Sequence, residues 1–188
     1  MATVDILDFL RPGFDIFSNS RDKEYLKLAI RNIAVAPKWW SEYGKEIQDK
    51  KIEFDWVKVK YTELDKHLKS DKNLGNGIGV YLFAVESEFK IIGAPIYVFY
   101  VGIAGEGESG RPIRERLREY IRISGIDKRE KVHTALEYYH NETNIYYSVL
   151  DIESSDLSDL EKTLHGFYYP WANERDFPVK IKSSRRSW

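Results

Sequence analysis

The rhythm of apolar positions changes near residue 75. From Asp22 to about Ala36, Tyr25, Leu26, Ala29, Ile30 and Ile33 recur at helical spacing, and Pro37 ends the helix they predict. Trp39 and Trp40 follow and are expected to pack against that helix. Residues 45–73 are strongly charged, with Ile52, Phe54, Trp56 and Val57 as anchors. Residues 1–74 thus read as a mainly helical N-terminal extension, bounded by the turn cluster Lys72–Gly77, KNLGNG.

Beyond it, Ile78–Val85 (IGVYLFAV) and Ile96–Ile103 (IYVFYVGI) are apolar at both alternating positions, the pattern of strands covered on two sides. A glycine-rich loop, Gly105–Gly110, follows. Pro112 suits the first position of a helix running to about Ile123. A second helix covers about Lys128 to His140, a third strand Asn144–Leu150, and a last helix about Asp156 to Tyr168, stopped by Pro170. This order (β-β-α-α-β-α) predicts an α+β fold over 75–175, with a small three-stranded sheet, mixed or antiparallel, flanked by helices. Residues 176–188 form a basic tail.

Composition narrows the function classes. With 188 residues, 43% hydrophobic and 31% charged, the chain can bury a core and is not a disordered polymer. No apolar run approaches the ~20 residues of a bilayer helix, and no secretory signal is visible, so no membrane partner is expected. The absence of cysteine removes thiol nucleophiles and cysteine-based zinc sites, and it fits a cytoplasmic location. Lys and Arg number 29 against 30 Asp and Glu, so bulk charge does not call for a polyanion. Such a partner has to be argued from where the charges sit.

Two charged residues fall on apolar faces. On the helix after the glycine loop, Ile113, Leu117, Tyr120 and Ile121 form the stripe, and Arg114, Arg118 and Arg122 lie on the opposite face. Arg116 instead falls on or beside the stripe, either snorkelling outward or turned into a cleft. On the last helix Glu161 sits among Leu157, Leu160, Leu164, Phe167 and Tyr168. It is either the far end of a capping box begun by Ser158 or an inward carboxylate. An inward arginine and an inward glutamate facing one cleft would suit phosphodiester chemistry.

These residues also carry a resemblance to the GIY-YIG endonucleases. Gly79-Val80-Tyr81 resembles the GIY element and Tyr100-Val101-Gly102 the YIG element. Arg116-Leu117-Arg118-Glu119-Tyr120 is similar to the family's Arg-apolar-x-x-Tyr/His helix segment. Glu161, with Pro170 at +9 and Asn173 at +12, resembles the end of the nuclease domain in the incision subunit of bacterial nucleotide excision repair. The resemblance covers roughly 75–175. Two departures stand out: the 18 residues from Leu82 to Phe99, longer than usual for the family, and Glu106 and Glu108 in the glycine loop, which repel a nearby phosphate.

The resemblance implies a divalent-metal-dependent DNA endonuclease, restriction-like or homing-like, acting on duplex DNA. Glu161 would hold Mg²⁺ or Mn²⁺. Arg116 would bind the phosphate, Tyr81 would be the general base, and Tyr100 and Tyr120 would orient water and phosphate. Gly79, Gly102 and Asn173 would support the site. His165, one turn after Glu161, is a candidate second ligand or proton carrier, against its commoner reading as a packed helix histidine. Arg111, Arg114, Arg118 and Arg122 are candidate backbone-phosphate contacts. Cutting both strands would need a homodimer or two successive nicks. The alternative is a non-catalytic nucleic-acid-binding module on the same scaffold. The formal GxGxxG at Gly105–Gly110 is not read as a dinucleotide site, because two glutamates occupy it and no strand follows the next helix.

Overall fold

The computed structural model describes residues 37–71, 74, 77–87, 96–107, 110–122 and 129–185. The helix expected at 22–36 and most of the 86–95 insertion lie outside the described residues. The elements are α1 (Pro37–Asp49), β1 (Val57–Lys60), a 3₁₀ turn (Tyr61–Glu63), α2 (Leu64–Ser70), β2 (Gly79–Glu86), β3 (Ile96–Ala104), α3 (Ile113–Glu119), α4 (Glu130–Tyr138), β4 (Thr143–Val149), a second 3₁₀ turn (Ser154–Asp156), α5 (Leu157–Tyr168) and α6 (Val179–Arg185).

The fold is α+β with an antiparallel sheet of four strands in the order β1-β4-β2-β3. The expected third strand is β4, and the fourth is β1, which pairs Val57 with Tyr147 and Lys60 with Asn144. The three-strand expectation missed it because Val57–Lys60 is only four residues, alternating with lysine inside a charged stretch. Pro37 begins a helix, α1, which holds Trp39 and Trp40.

Both sheet faces are covered, which explains why β2 is apolar at nearly every position. Tyr81, Phe83, Ile145 and Tyr147 pack under α2, α3 and α4, with Leu68, Ile113, Leu117 and Val132. Val80, Leu82, Val101 and Ile103 pack on the other side against Leu157, Leu160 and Leu164 of α5. Helix α1 lies along α5, where Gly166 leaves room for the Tyr43 ring: a Cβ there would meet it at 2.5 Å.

A register shift lies between Phe83 and Ala84, where Phe83 pairs with Tyr100 and Ala84 with Val98. The extra residue, Phe99, is a β-bulge. It lets both Phe99 and Tyr100 face the α3 side, with ring centroids 6.0 and 5.7 Å from Phe83. The segment after α5 covers the free edge of β3: Ala172 N–H donates to Phe99 O at 2.9 Å, and Asn173 bonds both backbone groups of Val101.

Candidate functional site

At that edge lies a cleft of about 490 Å³ lined by Tyr100, Arg129, Glu161, His165, Asn173 and Asp176, among others. Three tyrosine hydroxyls lead into it. Tyr120 donates to the Tyr100 oxygen at 2.9 Å, and the Tyr81 and Tyr120 hydroxyls are 3.0 Å apart. Tyr120 has a single hydroxyl proton, so in this arrangement Tyr81 donates to Tyr120. Tyr81 and Tyr120 are fully buried and Tyr100 is half-buried on the cleft wall. Burial pushes the Tyr81 and Tyr120 hydroxyls well above their ordinary range. A water in the cleft would therefore reach Tyr100 and not Tyr81, so the burial of Tyr81 does not suit the general-base role expected of it.

The two glycines of the tyrosine motifs make this packing possible. A Cβ on Gly102 would meet Tyr81 Oη at 2.4 Å, and a Cβ on Gly79 would meet the Ser148 carbonyl oxygen at 2.4 Å. Gly79 thereby also admits Ile113, which starts α3 and sets where Arg116 and Tyr120 emerge.

Arg116 is turned toward the tyrosines, with its side chain 25% exposed and Nη1 donating to Glu119 Oε2 at 3.2 Å. Burial disfavours its cation, and the surrounding hydroxyls and Glu119 more than restore it. Glu161 is likewise inward, its side chain 18% exposed. The capping box is not formed: α5 starts at Leu157 after a 3₁₀ turn, and its cap residue, Asp156, makes no side-chain cap bond. Burial, reinforced by the Asp176 and Glu106 carboxylates, pushes the Glu161 carboxyl up to about 7 against the pull of Arg116 and Lys162.

His165 is buried one turn on, with Nδ1 donating to the Asp176 carbonyl at 3.2 Å and Nε2 3.9 Å from Glu161 Oε1. Asn173 accepts from Val101 N–H at 2.9 Å and donates to Val101 O at 2.7 Å, fixing the strand beside Tyr100. Asn173→Ala strands both buried backbone groups and is expected to cost about 1–3 kcal/mol in urea unfolding. A midpoint unchanged from wild type would remove this role.

No three His, Asp or Glu side chains among the described residues gather tightly enough to enclose a metal ion. A hard cation that keeps most of its water needs only one or two carboxylates, however. Glu161 supplies one; its carboxyl is raised chiefly by burial and further by the neighbouring Asp176 and Glu106 carboxylates. The residues fit Mg²⁺ or Mn²⁺ in that limited sense.

The arginines expected to touch DNA do not share one environment. Arg114 is not on a solvated face: its guanidinium donates to the carbonyls of Leu68, Asp71 and Leu74, tying α3 to the end of α2. Arg111 is 58% exposed and pairs with Glu119, Arg118 is half-buried, and Arg122 is exposed. One residue was legible in the sequence only as part of the basic stretch 111–131, a candidate surface for backbone phosphates. Arg129, just before α4, lies with its guanidinium 4.6 Å from the Tyr120 ring centroid and bonds Glu119 Oε2 at 3.0 Å. It follows no periodicity, so only the basic run around it hinted at a role.

No protein-family model matches the chain, and no curated protein or solved structure matches it either.

Proposed function

We propose that the chain is a divalent-metal-dependent DNA endonuclease of the GIY-YIG kind. The observation that carries this reading is the meeting of Tyr100 and Glu161 on one cleft, with the Arg116 cation acting electrostatically on Glu161. A binding module has no need of a half-buried carboxylate held beside two other acids.

Glu161 would hold Mg²⁺ or Mn²⁺ in its ionised form. The ion, when bound, supplies charge stabilisation at the scissile phosphate and its leaving oxygen. Arg116 donates to the non-bridging oxygens as charge builds on them. Tyr100 takes the proton of the attacking water. Tyr120, itself held by Tyr81, donates a hydrogen bond to the Tyr100 oxygen and fixes its position on the cleft wall. The hydroxyl chain thus aims donors at the one tyrosine that faces solvent.

The test is cleavage of supercoiled plasmid and of short single- and double-stranded DNA with Mg²⁺, Mn²⁺ or EDTA. Metal-dependent cutting is expected, and folded Arg116→Ala should lose about a hundredfold or more in rate. No cutting of any substrate by folded wild type would overturn the reading, and duplex binding alone would favour the non-catalytic module.

A further inference from the structure

Two guanidiniums stand on Glu119 Oε2 at the site, those of Arg116 and Arg129. We infer that Arg129 is a second anion-binding residue, gripping the same phosphate as Arg116, and that Glu119 is the positioning residue that holds both. This rests on the nuclease reading for the identity of the phosphate and goes beyond it in naming the second contact.

The first observation is an unused donor. Arg129 Nη2 bonds Glu119, while Nη1 is buried and has no hydrogen-bond partner among the described residues. A guanidinium is always charged and carries five N–H donors. Leaving such donors buried and unpaired is costly, and an acceptor entering the cleft removes the cost. Nη1 is itself covered, but the side chain as a whole is 22% exposed and lines the cleft with Tyr100 and Glu161, so an anion meets the exposed edge of the guanidinium.

The second observation is how the group is held. It lies over the Tyr120 ring, which fixes its plane by a cation–π contact. Glu119 Oε2 accepts from both Arg129 (3.0 Å) and Arg116 (3.2 Å), so the two guanidiniums are at most about 6 Å apart. One phosphate can bridge that separation. Arg111 pairs with the other Glu119 oxygen, so three cations surround one carboxylate and an excess of positive charge remains. Arg129 lines the cleft with Tyr100, where the scissile phosphate has to lie if Tyr100 serves its water.

The experiment measures binding of inorganic phosphate and of a short DNA duplex in EDTA, across salt concentrations. Arg129→Gln, Arg129→Lys and Glu119→Gln are compared with wild type after circular dichroism. Lys66→Gln, which removes an exposed charge from the groove beside β1, controls for general loss of charge. Arg129→Gln should weaken duplex binding about tenfold or more and lower the salt slope by about one. Arg129→Lys should restore the slope but not the affinity, because an ammonium cannot reproduce the fork. Glu119→Gln should weaken phosphate binding although it removes a negative charge, the signature of lost positioning.

An Arg129→Gln affinity no lower than that of Lys66→Gln would overturn the inference. If the Gln variant does not fold, Arg129→Met, which keeps a stem over Tyr120, takes its place. If neither neutral variant folds, wild-type affinity in Arg129→Lys would overturn it. Cleavage lost in Glu161→Gln but with Arg129-independent binding would remove this inference and leave the nuclease reading. Arg129-dependent binding without cutting would do the reverse.

Discussion

Glu161→Gln is expected to abolish metal-dependent cleavage, by about a thousandfold or more, and at the same time to stabilise the metal-free fold above pH 7. Glutamine keeps the shape and removes the anion, so the cleft loses its hold on the cation. The stability effect follows from the raised titration. The carboxyl titrates near 7 in the fold, chiefly because it is buried, and near its ordinary value of about 4.3 when unfolded. Between those values the folded chain keeps a proton that the unfolded chain releases. Wild-type stability therefore falls as pH rises through this window and stays low above it.

Glutamine carries no such penalty. Its advantage should be about 2–4 kcal/mol at pH 8 in EDTA and should vanish near pH 4. Urea unfolding of both proteins at the two pH values measures the difference directly. Parallel pH dependence in the two would mean that Glu161 is not held inward. The wild-type cleavage rate should rise with pH across about 7, because a proton and the metal compete for the same carboxylate.

Gly102→Ala should destabilise the fold by about 2–3 kcal/mol and lower cleavage with it. In an open strand, alanine would be the better residue by about 0.5–1 kcal/mol, so the sign depends on the neighbour. Here the added Cβ lies 2.4 Å from both Cζ and Oη of Tyr81. Tyr81 has nowhere to go: it is 0% exposed, with the Phe83 and Tyr120 rings at 6.0 and 5.7 Å. Moving it breaks the hydroxyl chain that ends at Tyr100. A more stable alanine variant would mean that the ring can yield and that the close approach does not constrain the site.

What could be read from the sequence depended on how local its cause was. Strands β2 and β3 were legible because helices cover both faces, so their apolar runs are unbroken. Arg116 and Glu161 were legible because a charge on an apolar stripe contradicts the helix period. The capping box at Ser158 was a sound local alternative, but α5 begins a residue earlier and continues from a 3₁₀ turn. Arg114 was misplaced because the carbonyls it serves lie about forty residues back in the chain, at the end of α2. Arg129 was legible only as one cation of a basic stretch, because its partner, Glu119, belongs to another helix. The burial that separates Tyr81 from Tyr100 depends on the β3 bulge and on the Asn173 segment, and neither has a periodic signal.

The strand order also dictates a timetable. Among the described residues β1 pairs with β4, and α1 packs on α5 and α6, so these two N-terminal elements wait until the last third of the chain is present, whereas α2 can meet α3 earlier. Distant pairings of this kind slow folding, because loop closure is opposed by entropy before any contact compensates it. During synthesis the Val57–Lys60 segment must wait with its backbone groups unpaired, and its two lysines keep it from joining a stray strand in the interval. The β2–β3 hairpin, which carries Tyr81 and Tyr100, can form first. The tyrosine half of the cleft would then be assembled before the helix bearing Glu161 has left the ribosome.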